Sequence, residues 1–176
     1  MPTDSHSPVV ETLILKDDGV TPNNPTLSLV VYRGALNLDG DPASRCEVMF
    51  ARNGWPDAWR NGIYAHHHYH STAHEVLGIA AGSARVRLGG ENGKIVELRA
   101  GDIVVIPAGV AHKREAASSD LLVIGAYPQG QRPDICRAEI GSRDKAIRNI
   151  AAVPLPAADP VTGGAGPLLE CWGKAG

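Results

Sequence analysis

Five of the seven histidines lie between residues 66 and 74, and a sixth follows at residue 112, at positions 66, 67, 68, 70, 74 and 112. Alternate side chains of a β-strand share a face, so His68 and His70 would present two imidazoles to one point. Glu75 on the next strand and His112 on a distant strand can reach the same point. Such nitrogen and oxygen donors suit Fe, Mn, Ni, Co, Cu or Zn, and give no reason to expect Ca²⁺ or Mg²⁺.

Two further side chains share the predicted face and are weaker candidates for a catalytic role. Tyr64 could donate a proton or orient a substrate, and His66 could contact the substrate or support a metal ligand. The plainer alternatives are a core tyrosine and a buried, hydrogen-bonded histidine. The same alternation points His67 outward.

Short strands must position these side chains. Between residues 62 and 127, apolar runs of four to eight residues alternate with turn residues, and no helical pattern separates them. This pattern favours an antiparallel sandwich or barrel over a parallel βαβ sheet. The sequence predicts strands at 9–15, 26–33, 63–70, 74–81, 84–88, 95–98, 103–106, 112–116 and 121–127.

Two helices are predicted outside this region. Asp41 followed by Pro42 is typical of a helix start, and the apolar spacing continues to about residue 53. Ser142 is a candidate N-cap for a second helix at 142–150. The proline- and glycine-rich residues beyond it are predicted to be irregular.

Composition limits the partners and the compartment. A chain of 176 residues is predicted to form one domain, with N-terminal strands and a helix at 1–61, a barrel core at 62–128 and a C-terminal helix and tail at 129–176. The formal charge of −2 gives no basic surface for nucleic acid. With no signal peptide, no membrane-spanning segment and three widely spaced cysteines, we expect a cytoplasmic protein with free thiols and no membrane partner.

Two stretches of the sequence resemble the motifs of the cupin superfamily. The first reads Gly62, five residues, His68-Tyr69-His70, four residues, Glu75, six residues and Gly82. The second reads Gly101, five residues, Pro107-Ala108-Gly109, two residues and His112. It departs from the family pattern at Ala116, where the motif has asparagine. Within the superfamily, residues 68–78, residues 125–128 and the proline-rich ending around residues 159–161 resemble the small bacterial cupins of the YjlB type.

The resemblance implies an all-β fold, a jelly-roll barrel with a few short flanking helices, and a homodimer. It also implies one divalent transition metal ion held by His68, His70, Glu75 and His112, with coordination positions left for water, dioxygen or a chelating substrate. Three neutral imidazoles and one carboxylate leave a divalent ion with a net charge of about +1, which attracts anions.

We therefore expect a metal-dependent enzyme acting on a small anionic or chelating metabolite. Oxidation of the dioxygenase type is the leading reaction, and isomerase-type acid/base chemistry is the next. The alternative is a non-catalytic cupin that binds or senses a small molecule. The fold cannot choose between them, because the same architecture carries many unrelated reactions.

Overall fold

Short strands and three helices make up the part of the chain that the computed structural model describes, residues 7–138 and 142–173. The strands are β1 Val9–Leu15, β2 Asn24–Arg33, β3 Trp59–Asn61, β4 Glu75–Ala81, β5 Ser83–Leu88, β6 Lys94–Arg99, β7 Ile103–Ile106, β8 His112–Ala117 and β9 Leu122–Ala126. The helices are α1 Pro42–Arg52, α2 Arg143–Ala152 and α3 Pro167–Gly173.

The strands form two antiparallel sheets. The larger sheet has the order β1-β2-β7-β4-β9-β3, and the smaller has the order β6-β5-β8. Strands that are neighbours in the sheets are far apart in the sequence, and each recorded pairing between them is antiparallel. The predicted all-β jelly-roll architecture with short flanking helices is confirmed.

Hydrophobic side chains from both sheets meet between them. On β5, Ala84, Val86 and Leu88 are buried, and the residues between them are more exposed. They pack with Leu77 of β4 and Val104 of β7 in one core cluster. This period-two pattern directs the alternate side chains of the smaller sheet toward the larger one. The same pattern directs the side chains of Arg85 and Arg87 away from the larger sheet.

The outer face of the larger sheet is covered as well, because β4 and β7 are buried along nearly their whole length. A second core cluster joins this face to Phe50 of α1, to Trp55, and to Trp172 of α3. Burial on both faces explains why these two strands are continuous hydrophobic runs rather than alternating ones.

The helix N-caps are those that the sequence predicts. The Asp41 side chain accepts a hydrogen bond from the backbone N–H of Ser44, and Pro42 is the first helical residue of α1. The Ser142 hydroxyl accepts from the backbone N–H of Lys145 at the start of α2. Each cap satisfies a donor that has no partner within its helix.

The prediction of a strand over 63–70 is wrong. Residues 62–74 form no extended strand; they cross from β3, at the edge of the larger sheet, toward β8 of the smaller one. Their ladder contacts are isolated bridges, from His68 to His112 and from Tyr69 to Cys136. A segment that crosses between two sheets cannot pair along its length with one strand.

The proline- and glycine-rich residues 153–166 form no helix or strand, as predicted, but the end of the chain also contains a helix that was not predicted, α3 at residues 167–173. Pro167 begins this helix, where a missing N–H costs nothing, and Leu168 and Trp172 bury one side of it. The three cysteines are free, as predicted. None of the helices formed by the described residues has both the length and the apolar character to cross a bilayer.

Candidate metal centre

Three separate parts of the fold bring the predicted ligands together. His112 opens β8 and Glu75 opens β4, whereas His68 and His70 lie in the crossing segment. The backbone of His68 is tied to that of His112 by two hydrogen bonds, His112 N–H to His68 O at 2.9 Å and His68 N–H to His112 O at 3.3 Å. This bridge fixes the crossing segment against the smaller sheet and places the two imidazoles side by side.

The three imidazoles form one compact, buried group. His68, His70 and His112 are 4%, 6% and 2% exposed, and each offers a ring nitrogen within 4.8 Å of the other two. The ring centroids of His68 and His112 lie 4.0 Å apart, and both are 5.6–5.7 Å from the centroid of His70. Three buried nitrogen donors at this spacing form a group that can hold a metal ion.

Backbone carbonyl groups select the tautomer of each ring. Nδ1 of His68 lies 3.3 Å from the His66 carbonyl oxygen, and Nδ1 of His112 lies 3.1 Å from that of Val110. Nδ1 of His70 lies 2.5 Å from the carbonyl oxygen of Asp134. A carbonyl can only accept a hydrogen bond, so the proton must be on Nδ1, which leaves the Nε2 lone pair for a metal.

Glu75 completes the predicted set, although it does not belong to the group of mutually close ligand atoms. Its Oε2 lies 3.0 Å from Nε2 of His112 and 3.3 Å from Nε2 of His70. This buried oxygen nevertheless has no hydrogen bond of normal geometry among the described residues. An unsatisfied buried carboxylate oxygen beside imidazole lone pairs fits a cation that all of them would share.

The electrostatic environment favours the metal-binding forms of His68 and Glu75. Burial and the neighbouring His112 lower the pKa of His68 to about 3, so its ring is neutral at neutral pH. Burial alone would raise the pKa of Glu75, but His70 and His112 hold it well below its usual range. Burial alone would lower the pKa of His70, but the Glu75 carboxylate raises it above its ordinary value. A divalent ion would replace the proton that His70 and Glu75 attract.

Tyr127 extends the site beyond the predicted ligands. Its ring lies edge-on to His70, with centroids 5.8 Å apart, and its hydroxyl accepts a hydrogen bond from Nε1 of Trp59 at 3.2 Å. Burial and the nearby carboxylate of Glu75 raise the pKa of Tyr127. The phenol therefore stays protonated at neutral pH.

A cavity of about 560 Å³ opens onto the imidazoles. Its volume lies within the range of about 300–1,000 Å³ that is usual for small-molecule sites. Its walls combine apolar and polar side chains, namely Trp59, Asn61, Ile63, Tyr64, Leu77, Arg114, Ala117, Ser118, Leu121, Tyr127, Pro133 and Ile135. The proposed metal ligands therefore line a cavity that a small molecule can enter.

The two weaker sequence candidates lie at the edge of this site. Tyr64 lines the cavity but is 52% exposed, and its ring stacks on His66 at 5.0 Å. His66 is absent from the cavity wall, and its Nε2 accepts a hydrogen bond from Arg137 at 2.8 Å. Strand alternation, which predicted both as inward, does not apply to the crossing segment. His67 contacts the exposed Glu91 at 2.9 Å, away from the three imidazoles.

Comparisons with known proteins show the family of the chain. Residues 60–124 match the cupin domain family, and this range includes all four predicted ligands. Over 164 residues the chain is 42% identical to the Bacillus subtilis (strain 168) protein called uncharacterized protein YjlB. The match covers 93% of this chain and 97% of that relative. The chain is a YjlB-type cupin.

Solved structures similar to this YjlB-type cupin have low sequence identity. The epimerase RmlC of Legionella pneumophila Philadelphia 1 is 14% identical, with a TM-score of 0.39 over 79% of this chain and 81% of the epimerase. The acireductone dioxygenase of Bacillus anthracis, solved with a cadmium ion in its active centre, is 19% identical with a TM-score of 0.38. That match covers 52% of this cupin and 62% of the dioxygenase.

Proposed function

We propose that this YjlB-type cupin is a metal-dependent enzyme that oxidises a small anionic or chelating metabolite with dioxygen. One divalent transition metal ion would be held by His68, His70, Glu75 and His112. The observation that carries this proposal is the convergence of three buried imidazoles, each with its Nδ1 bonded to a carbonyl, beside an unsatisfied Glu75 oxygen at a cavity.

A redox-active ion in such a site can bind and activate dioxygen, and a divalent ion of any kind can polarise a substrate carbonyl. The chain's own contribution is to hold the ligands and enclose the substrate. The backbone carbonyls orient the imidazoles, Trp59 holds the Tyr127 hydroxyl beside His70 and Glu75, and the apolar part of the wall excludes water.

The cavity favours oxidation over acid/base chemistry. Apart from the proposed ligands, no aspartate, glutamate, histidine or lysine is among the described residues that line it. Its remaining titratable groups are Tyr64, Arg114 and Tyr127. The pKa of Tyr127 is raised, so this phenol stays protonated and does not accept a proton. An isomerase needs a positioned general base, whereas oxidation has dioxygen as its oxidant and would need the metal ion to bind and activate it.

Metal content provides the first test. The untagged protein, purified without a chelator, should contain one transition metal ion per chain by elemental analysis, and His70→Ala and His112→Ala should lose it. His67→Ala is the matched control, because His67 is the neighbouring histidine that points to Glu91, and it should keep the metal. Stoichiometric metal in His112→Ala would refute the ligand assignment.

Oxygen uptake provides the second test. The iron(II)-loaded protein is mixed with a panel of diketones, thiols and hydroxy acids in an oxygen electrode. Uptake that requires both one compound and an intact His112 supports an oxidase or dioxygenase. Tight binding without oxygen uptake or product formation contradicts the enzyme and favours the non-catalytic binding alternative.

A further inference from the structure

We infer that the ligand of the cavity is an organic acid with an apolar body, and that its carboxylate binds the guanidinium of Arg114. This inference rests on the proposed function in one respect: the other end of the organic acid would bind the proposed metal ion. The specificity for an acid, in contrast, depends on Arg114 itself and can be measured without turnover.

Arg114 lies on the same face of β8 as His112. In the pairing with β5, His112 is opposite Leu88 and Arg114 is opposite Val86, and both partners are buried between the sheets. Residues two apart on a strand point to the same side, about 7 Å apart along it. The guanidinium therefore enters the cavity beside the imidazole of His112, and Arg114 is part of the cavity wall.

The terminal amino groups of Arg114 are available to a ligand. Its Nε donates to the backbone carbonyl oxygen of Ile63 at 3.0 Å, which fixes the plane of the guanidinium. Within the described part of the chain, its two terminal nitrogens have neither a hydrogen bond nor a carboxylate within salt-bridge distance. By contrast, Arg87 on the outer face of the same sheet is paired with Glu115 at 2.6 Å.

The charge of the cavity favours an anion. Arg114 is the sole lysine or arginine among the described residues that line it, and Glu75 is the sole carboxylate. The Glu75 carboxylate faces His70 and His112 rather than Arg114. A half-buried, oriented guanidinium with free amino groups is matched by a carboxylate that accepts two parallel hydrogen bonds.

The apolar part of the wall indicates what kind of body the ligand has. Leu77 and Ile63 are buried, and Trp59 and Leu121 pack against the same core cluster. These side chains would contact the part of the ligand between its carboxylate and the metal group. Because they offer little hydrogen bonding, they favour a ring or a branched hydrocarbon over a sugar or a polyol.

Zinc-loaded protein provides the test, because zinc has no redox chemistry and binding is then measured without turnover. Calorimetry compares benzoate with benzamide, and cyclohexanecarboxylate with its carboxamide. The two compounds of each pair differ in charge and have the same hydrocarbon part. The wild type should bind each acid at least about tenfold more tightly than its amide, which is the scale of a charge-assisted hydrogen bond. Arg114→Gln should remove this preference, and the outer-face control Arg87→Gln should keep it.

Two further measurements separate the possible failures. Zinc content is determined for every variant, and Arg114→Lys, which keeps the charge but not the planar fork, should retain part of the acid preference even if the glutamine variant does not fold. Equal binding of acid and amide by a zinc-loaded wild type, or an acid preference that persists in Arg114→Gln, overturns the inference and leaves the proposed function standing. An acid preference that depends on Arg114 in a protein that holds no metal supports the inference and refutes the proposed function.

Discussion

Nδ1 of His70 donates a hydrogen bond to the backbone carbonyl oxygen of Asp134, 2.5 Å away and 64 residues later in the chain. The side chain of Asp134 in turn accepts hydrogen bonds from the backbone N–H and the hydroxyl of Ser71, the residue after His70. These hydrogen bonds hold the segment that carries His70 against the loop that carries Asp134. The orientation of one proposed metal ligand depends on a loop outside the cupin motifs.

Asp134→Ala should weaken metal binding without removing a ligand. With the carboxylate lost, the carbonyl that orients His70 is no longer held, and we expect the dissociation constant for zinc to rise by about 10–100-fold. Competition with a chromophoric chelator measures it. Asp39→Ala is the control, because the Asp39 side chain is exposed and forms no hydrogen bond in the described part of the chain. Unchanged zinc affinity in Asp134→Ala would show that the imidazole is oriented without this loop.

The same carboxylate makes a pH-dependent contribution to stability. Burial alone would raise the pKa of Asp134, but the hydrogen bonds from Ser71 hold it below its ordinary value of 3.8. A depressed pKa in the folded state stabilises the protein above pH 3.8, and this contribution is lost as the pH falls through the folded-state pKa. Urea unfolding is measured on the metal-free protein, prepared with a chelator. The difference in the free energy of unfolding between wild type and Asp134→Ala should be constant from pH 7 to 5 and should narrow below pH 4. A difference that widens in acid would contradict the assignment.

Removing the hydroxyl of Tyr127 should be costly. Tyr127→Phe leaves the indole N–H of Trp59 without its acceptor and removes a hydroxyl near the Glu75 carboxylate. We expect a loss of about 1–3 kcal/mol in the free energy of unfolding, together with weaker zinc binding. Tyr64→Phe is the matched control; because its side chain is half exposed, the change should stay within about 0.5 kcal/mol. Slower turnover in Tyr64→Phe with normal stability would instead assign Tyr64 the catalytic role that the sequence suggests.

A methyl group at Gly125 should disturb the cavity wall. A Cβ at this position would lie 2.0 Å from Cζ2 of Trp59, so the indole must move. Gly125→Ala should lower the free energy of unfolding by about 1–3 kcal/mol, and it should shift the tryptophan emission. Gly164→Ala is the control, because a Cβ there meets nothing within 4 Å. Equal stability of the two variants would mean that Trp59 has room to move.

Local rules were sufficient for much of this protein. Asp41 and Ser142 cap the helices that the sequence predicts, because capping depends on residues three apart. Alternation accounts for the outward direction of Arg85 and Arg87 on β5, because that strand is paired on both sides along its length. The same rule gave His68 and His70 a common target, although the segment that carries them is not a strand.

Other features could not be derived from local patterns. The bridge between His68 and His112 and the contact between His70 and Asp134 join residues 44 and 64 positions apart, and no local pattern specifies such a pairing. Arg114 is different, because its position two residues after His112 on a predicted strand already placed it on the metal-facing side. The helix α3 also had a signal, in the spacing of Leu168 and Trp172 behind Pro167.

The pairing of β8 with β5 contains one irregularity, because Val86 is opposite Arg114 and Arg85 is opposite Ala116, which leaves Glu115 as an extra residue. The chain thereby changes parity, so that Arg114 and Ala117 both line the cavity and Ala116, at the motif's asparagine position, is exposed. If the strand ran regularly through Glu115, Ala116 would face the cavity and Ala117 would face outward, while His112 kept its place. The bulge therefore determines which side chains of the outer half of the strand can contact a substrate, independently of the metal ligands.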